Sequence, residues 1–128
     1  MEDLKKEGLS TKVSNKLDDY LSCTIKLSDD KTKAWIGQPH LIDKLKSKFG
    51  ELVKGMQAYK TPGTPGQQIM RVQDDSLKIT KEKQSLYRSA VGMLLYLLKH
   101  SRPCLANPIW ELSKALDGAN EAAFKELK

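Results

Sequence analysis

The stretch TKEKQSLYRSAVGMLLYLLKHSR, residues 80–102, is the longest run in this chain with the pattern of a single helix. Its apolar residues recur at spacings of three and four, which places them on one face that a protein core would bury. Thr80 can cap the first turn, and Pro103 cannot continue a helix because it lacks a backbone N–H. The sequence therefore predicts one long amphipathic helix, with an apolar face formed by Leu86, Ala90, Met93, Leu94 and Leu97.

A second stripe of this helix carries Arg88, Gly92 and Tyr96, which are spaced i, i+4, i+8. A glycine inside a helix costs on the order of 1 kcal/mol relative to alanine, so its presence asks for a reason. Without a side chain at Gly92, the helix backbone can come close to a nucleic-acid backbone or groove, with Arg88 and Tyr96 on either side. Ordinary packing is the alternative: Gly92 could lie between two packed helices, and Tyr96 could belong to the core.

The charge of the chain is unevenly distributed. Its 128 residues include 22 Lys and Arg against 16 Asp and Glu, a formal net charge of +6 at pH 7. Residues 80–102 hold five basic residues, Lys83 among them, and one acidic residue. A basic footprint on one helix favours a phosphate-rich partner, although an ordinary solvated face fits as well. Lys44 and Lys48 share a face of the preceding predicted helix and are available to solvent or phosphate.

The remaining segments predict a hairpin and shorter helices. Alternating residues indicate a β-hairpin within 16–37, with its turn at residues 28–31. A helix begins near Pro39 and is predicted to stop at Gly50. Residues 51–79 show little periodicity and contain TPGTPG, which indicates a mobile connector or a loop held by an absent partner.

Two further helices are expected after Pro103. Asn107 is placed to cap the first of them, with Pro108 in its first position and an end at Asp117-Gly118. Asn120 opens the second, which runs to the last residue without a cap. We therefore expect the chain to be a piece of a longer protein.

These elements together predict an α+β fold, a short antiparallel β-hairpin followed by a three-helix bundle. A long irregular loop joins the first two bundle helices. The expected organisation is a hairpin region at 1–37, a helical region at 38–118 whose irregular loop covers 50–79, and a truncated helix at 119–128.

Three Asp-Asp pairs, at 18–19, 29–30 and 74–75, raise the possibility of a metal site. Adjacent residues of a strand point to opposite faces, so such a pair needs a third carboxylate from elsewhere. Turn formation or solubilisation is the more ordinary role of these pairs. His40 and His100 are isolated, and His100 is predicted to interact with the last carbonyl groups of its helix.

The cysteines and the apolar runs indicate in which cellular compartment the protein is expected. Cys23 and Cys104 lie far apart and outside any metal-binding grouping, so neither a zinc site nor a disulfide framework is indicated. The opening residues MEDLKKEG lack the apolar segment of a signal peptide, and the run 90–98 is too short to span a bilayer. We expect a soluble intracellular protein of the cytoplasm or the nucleus.

Five segments in a fixed order carry a resemblance to a known family. They are KLDDYLSC at 16–23, WIGQPHLI at 35–42, KTPGTPG at 60–66, YRSAVGMLLYL at 87–97, and SRP followed by NPIWELSKALDGA within 101–119. The combination resembles the polymerase of copia-type retrotransposons, in the segment that follows the catalytic palm. It covers most of the chain, and no single segment would be specific.

The resemblance implies a reverse transcriptase piece with the end of the palm, the thumb and the start of the connection to RNase H. The hairpin looks like a primer grip, with Tyr20, Leu21 and Ser22 in its tip-side strand. Arg88 and Gly92, with Tyr96, match the thumb-helix stripe that relatives place against the minor groove of the template-primer. The implied partners are an RNA/DNA or DNA duplex and the missing palm and RNase H segments.

The same resemblance places the catalytic aspartates of the polymerase and of RNase H outside this chain. It therefore implies no enzymatic activity for the chain on its own, and no cofactor beyond the magnesium of the parent polymerase. Similar sequences usually carry an acid and an arginine where this chain has Cys104 and Trp110. The alternatives are a helical interaction module, a functionless retroelement remnant, or a metal-dependent nuclease that uses the aspartates.

Overall fold

The computed structural model describes residues 19–20, 22–57 and 60–128. The fold is α+β, as predicted, with an antiparallel hairpin followed by several helices. Between the first two helices, a long stretch contains one short 3₁₀ turn, Asp75–Leu77, as its regular structure in the described residues. In chain order the elements are β1 Asp19–Tyr20, β2 Cys23–Leu27, β3 Ala34–Gly37, α1 Pro39–Val53, α2 Lys81–His100, α3 Ala106–Ser113 and α4 Glu121–Glu126.

The three strands form one antiparallel sheet in the order β1-β2-β3, with Ile25 opposite Ile36 in the main hairpin. Its turn lies where the sequence predicted it, and the Lys31 N–H donates to the Ser28 carbonyl at 2.9 Å. The Asp30 carboxylate accepts hydrogen bonds from the Ser28 hydroxyl and from the Thr32 hydroxyl and N–H. These donors lower the pKa of Asp30 to about 2, the Ser28 hydroxyl most of all. Asp30 therefore holds a turn, and residues 16–18 of the predicted hairpin lie outside the described residues.

The long helix α2 begins after Thr80 and ends before Pro103, as the sequence predicted. The Thr80 hydroxyl accepts a hydrogen bond from the Lys83 N–H at the start. At the other end the Ser101 N–H donates to the Leu97 carbonyl at 3.0 Å, and Pro103 begins a separate 3₁₀ turn. No helix of the described ranges combines the length and apolar character needed to cross a membrane.

Other helix boundaries differ from the prediction. Helix α1 continues through Gly50 to Val53, since a helix tolerates one glycine, and Gly55 with a φ of +77° follows its end. Helix α3 begins at Ala106 without a cap from Asn107, because the 3₁₀ turn Pro103–Leu105 leads directly into it. It ends at Ser113, and turns complete the path to Gly118. Asn120 caps α4 as predicted, accepting from the Ala123 N–H at 2.8 Å.

The core lies between α2, α3, α4 and the segment that precedes α2. Tyr87 and Val91 are fully buried on the inner face of α2. Helix α1 contributes no buried residue among those described. The Tyr87 hydroxyl donates to the Leu112 carbonyl at 2.7 Å, and burial raises the pKa of Tyr87 to about 12. The other members of the main cluster are Ile69, Ile79, Leu112, Ala115, Ala119, Ala123 and Phe124.

Replacing Tyr87 by phenylalanine tests the buried hydrogen bond. We expect Tyr87→Phe to lower the free energy of unfolding by about 0.5–1.5 kcal/mol, because the Leu112 carbonyl would lose its short bond and keep only the longer one from the Ala115 N–H at 3.3 Å. Urea denaturation monitored by circular dichroism measures this difference. A variant as stable as the parent would mean that the bond from the Ala115 N–H satisfies the Leu112 carbonyl by itself.

The described part of the irregular loop, residues 60–79, is held by α3, by α4 and by the link between them. The Val72 N–H donates to the Gly118 carbonyl at 2.9 Å, and the Ile79 N–H donates to the Ala119 carbonyl at 3.0 Å. The side chain of Glu111 accepts from the Ile69 N–H at 3.2 Å, and that of Glu126 accepts from the Thr64 N–H at 2.8 Å. The sequence predicted either a mobile connector or a loop held by an absent partner, and neither prediction included these bonds within the chain.

Candidate nucleic-acid interface

One face of α2 is exposed along the whole helix. Its residues follow one another at intervals of three or four, which keeps them in a single line on the cylinder. Most buried residues of α2, namely Tyr87, Ala90 and Leu97, lie on the opposite side. We call this face the outer stripe, and it comprises Lys81, Ser85, Arg88, Gly92, Tyr96 and Lys99.

Gly92 lies open in the middle of the outer stripe. A Cβ atom built at this position has no heavy atom within 4 Å, outside the backbone of α2 itself and the residues next to Gly92. No second helix of the described chain therefore covers Gly92, and helix packing does not explain this glycine. Tyr96 is 40% exposed, so it does not belong to the core. The nucleic-acid role of both residues remains a prediction.

Arg88 has partners inside the chain. Its Nε donates to the Leu116 carbonyl at 2.7 Å, and its Nη2 lies 3.2 Å from the Asp117 carboxylate. These contacts join α2 to the turns that follow α3. The Arg88 side chain is still 54% exposed, and a guanidinium group has five N–H donors. Arg88 is thus fixed in place, with part of its charge balanced by Asp117.

Tyr96 and His100 form a tilted pair of aromatic rings at the end of the outer stripe. Their ring centroids are 4.3 Å apart, with 36° between the ring planes. His100 Nδ1 lies 2.9 Å from the Tyr96 carbonyl, the contact with a late helix carbonyl that the sequence predicted. Lys99 is exposed beside this pair. The end of the stripe therefore combines an aromatic ring pair with a cation.

Lys48 of α1 reaches α2. Its Nζ donates to the Ser89 hydroxyl at 2.6 Å. Lys44 lies one turn earlier on α1 and is exposed. Of the two predicted basic residues on α1, the structure therefore brings Lys48 to α2.

Other predicted residues lie elsewhere. Lys83 pairs with Glu121 at 2.6 Å and lies over the Phe124 ring, half a helical revolution away from Gly92. Tyr20 is in β1, paired with Cys23, and Leu21 lies outside the described residues. Ser22 takes a φ of +61° in the link between β1 and β2. The structure therefore does not bring Lys83 to the outer stripe.

The aspartate pairs take part in local structure. Asp74 accepts hydrogen bonds from the N–H and the hydroxyl of Ser76, which lower its pKa, and Asp75 pairs with Lys78 at 2.6 Å. Asp18 lies outside the described residues. Across the described ranges, no group of three His, Cys, Asp or Glu side chains is placed to hold a metal ion. The described residues thus offer no carboxylate trio to the nuclease alternative.

Gln38 is a structural residue that the sequence did not indicate. It is 1% exposed at the start of α1, and its Oε1 accepts a hydrogen bond from the Ser101 hydroxyl at 2.8 Å. Its Nε2 has no hydrogen-bond partner in the described part of the chain. Gln38 connects the start of α1 to the end of α2, and it thereby helps to orient the two helices that carry the basic residues.

The outer stripe also includes Lys81, Ser85 and Lys99, which the sequence had not singled out as site residues. Their helical spacing from Gly92 is the signal that could have identified them.

The chain was compared with known proteins at three levels. No protein-family profile, no curated protein sequence and no solved structure matches it.

Proposed function

We propose that this chain is a non-catalytic piece of a copia-type reverse transcriptase that binds a template-primer duplex through backbone and minor-groove contacts. The observation that carries the proposal is the open position of Gly92 between Arg88 and Tyr96 on an exposed basic helix face. The five sequence segments that resemble the family support it in addition. Catalysis would belong to other parts of the parent polymerase.

The outer stripe suits a duplex for physical reasons. Lys81 and Lys99 stand near its two ends and can contact phosphates, while the bare backbone at Gly92 allows close approach between them. An RNA-containing helix has a wide and shallow minor groove that displays its 2′-hydroxyl groups. The Tyr96 ring and hydroxyl can pack on sugars there. Contacts of this kind recognise shape and charge, so we expect little dependence on base sequence.

A salt titration tests the proposal. We expect the chain to bind a 20-base-pair RNA/DNA hybrid, with affinity that falls roughly 100-fold between 50 and 200 mM salt if about four phosphates are contacted. Two hybrids of unrelated sequence should bind alike. Fluorescence anisotropy of a labelled hybrid gives both results. Absence of binding at low salt, or an affinity that does not change with salt, would contradict the proposal.

Exposed apolar side chains favour an additional interaction surface. Trp35 and Ile36 are more than half exposed on β3, and as neighbours in a strand they point to opposite faces of the sheet. Under the proposal, the missing palm packs against this sheet. Trp110 is 66% exposed on α3, where the resemblance would place an arginine. If the salt titration fails, these residues favour a helical interaction module or a functionless retroelement remnant.

A further inference from the structure

An open cleft of about 600 Å³ lies between α1 and the first half of α2. Two of its lining residues are connected across the helices, since Lys48 Nζ donates a hydrogen bond to the Ser89 hydroxyl at 2.6 Å. The cleft is therefore lined by residues of two helices that are far apart in sequence. Its lining residues are Lys48, Lys81, Glu82, Ser85, Leu86 and Ser89.

The cleft has an excess of positive charge. Two ammonium groups, from Lys48 and Lys81, face one carboxylate, from Glu82. No salt bridge of the described residues includes any of these three. Lys48 Nζ bonds to a neutral hydroxyl and lies 5.6 Å from the centre of the Phe49 ring, and neither contact supplies a negative charge. A site with this composition attracts an anion.

The polar groups of the cleft suit phosphate oxygens in particular. Serine hydroxyls donate one hydrogen bond each, and Ser85 and Ser89 supply two of them beside the ammonium groups. Lysine and serine side chains are common partners of nucleic-acid phosphates. Hydrogen bonds from a charged donor to a phosphate are stronger than those between neutral groups.

The position of the cleft relates it to the duplex. Ser85 belongs both to the cleft and to the outer stripe, and Gly92 lies seven residues further along α2. That separation is about 10 Å along the helix axis. A duplex whose minor groove faces Gly92 would therefore bring one of the two strands that border the groove to the cleft.

We propose that this cleft holds a backbone phosphate of one strand of the bound duplex. Lys48 and Lys81 supply the charge, and the hydroxyl groups of Ser85 and Ser89 donate to the phosphate oxygens. The inference rests on the proposed function and adds a defined phosphate site to it. A free phosphate ion shares the same chemistry, so the experiment includes it as a separate ligand.

The test removes the two charges of the cleft. In the double variant Lys48→Gln/Lys81→Gln, the slope of log affinity against log salt should become smaller by about one, since the cleft holds one phosphate and each phosphate contact contributes roughly 0.9. Affinity for the RNA/DNA hybrid at 100 mM salt should fall at least tenfold. The matched control Lys60→Gln/Lys125→Gln removes two exposed charges outside α1 and α2, and its slope should remain unchanged. Glu82→Gln removes the opposing carboxylate and should raise affinity a few-fold, a gain that misfolding cannot produce.

The outcomes separate this inference from the proposed function. If the parent chain binds the hybrid but the cleft variant keeps its slope, or Glu82→Gln brings no gain, the phosphate site is overturned and the proposed function stands. If the parent does not bind the hybrid at low salt, the proposed function fails. A titration of the chain with inorganic phosphate then shows whether the cleft binds a free anion. The amide NMR signals of Ser85 and Ser89 monitor it. If the NMR signals shift in the parent chain but not in the double variant Lys48→Gln/Lys81→Gln, the cleft binds free phosphate, and its assignment to a strand phosphate is overturned. If the signals do not shift at all, the phosphate site itself is overturned.

Discussion

Gly92→Leu is expected to leave the protein folded and to lower its affinity for an RNA/DNA hybrid at least tenfold. Folding should not suffer, because a Cβ at this position meets no other part of the described chain. Leucine is also the better helix former, so the free energy of unfolding should rise by roughly 0.5–1 kcal/mol. Binding should suffer because the new side chain would hold the backbone of α2 away from the groove and weaken the contacts of Arg88 and Tyr96. Urea denaturation and fluorescence anisotropy at 50 mM salt measure the two effects.

Gly50 supplies the matched control. It also lies inside a helix, and a Cβ built there has nothing within 4 Å. Gly50→Leu should therefore stabilise the protein by a similar amount, while hybrid affinity stays within about twofold because Gly50 is outside the outer stripe. A Gly92→Leu variant that binds the hybrid as tightly as the parent would remove Gly92 from the interface, and with it the main support for the proposed function.

Features that depend on neighbouring residues were predictable from the sequence. The cap of α2 by Thr80 and that of α4 by Asn120 each use a side chain and an N–H three residues away. The hairpin turn likewise depends on Asp30 and residues within two positions of it. These three features need only nearby residues, so the pattern indicated them, whereas the equally local predictions of a cap at Asn107 and a helix end at Gly50 were wrong.

Features that depend on distant residues could not be foreseen. The loop before α2 contains no periodicity because its order comes from partners elsewhere in the chain. The Thr64 N–H finds the Glu126 carboxylate, and the Ile69 N–H finds that of Glu111, across 62 and 42 residues. Nothing in the residues around position 64 or 69 announces those acceptors.

The candidate site was predictable only in part, for a related reason. Periodicity placed Arg88, Gly92 and Tyr96 on one stripe and predicted an apolar face, but it could not decide whether Tyr96 belongs to the core. The two tyrosines of α2 show this well, since Tyr87 is fully buried and Tyr96 is 40% exposed. The pairing of Arg88 with Asp117 and of Lys83 with Glu121 needed the packing of α2 against later turns. Helical spacing already sets Lys83 half a revolution away from Gly92, but only the structure shows that Glu121 pairs with it.

Gly118→Ala is expected to lower the free energy of unfolding by about 2–3 kcal/mol. A Cβ at Gly118 would lie 2.5 Å from the Val72 carbonyl oxygen and 3.2 Å from Cγ of Arg71. The nearest atom belongs to the backbone, and the Val72 N–H also donates to the Gly118 carbonyl at 2.9 Å. The loop can make room only by giving up this close pairing, a cost typical of overpacking in a well-packed interior. Urea denaturation measures the loss, and hydrogen exchange of the Val72 amide reports whether the loop has separated.

Gly37→Ala is the control, because a Cβ there has nothing within 4 Å and the stability should change by less than about 0.5 kcal/mol. A Gly118→Ala variant as stable as the parent would show that the loop moves aside at no cost. The same substitution should also affect binding. Arg88 is anchored on the Leu116 carbonyl and on Asp117, directly before Gly118. A displaced turn would release the Arg88 side chain, and hybrid affinity should then fall even though Gly118 itself lies outside the interface.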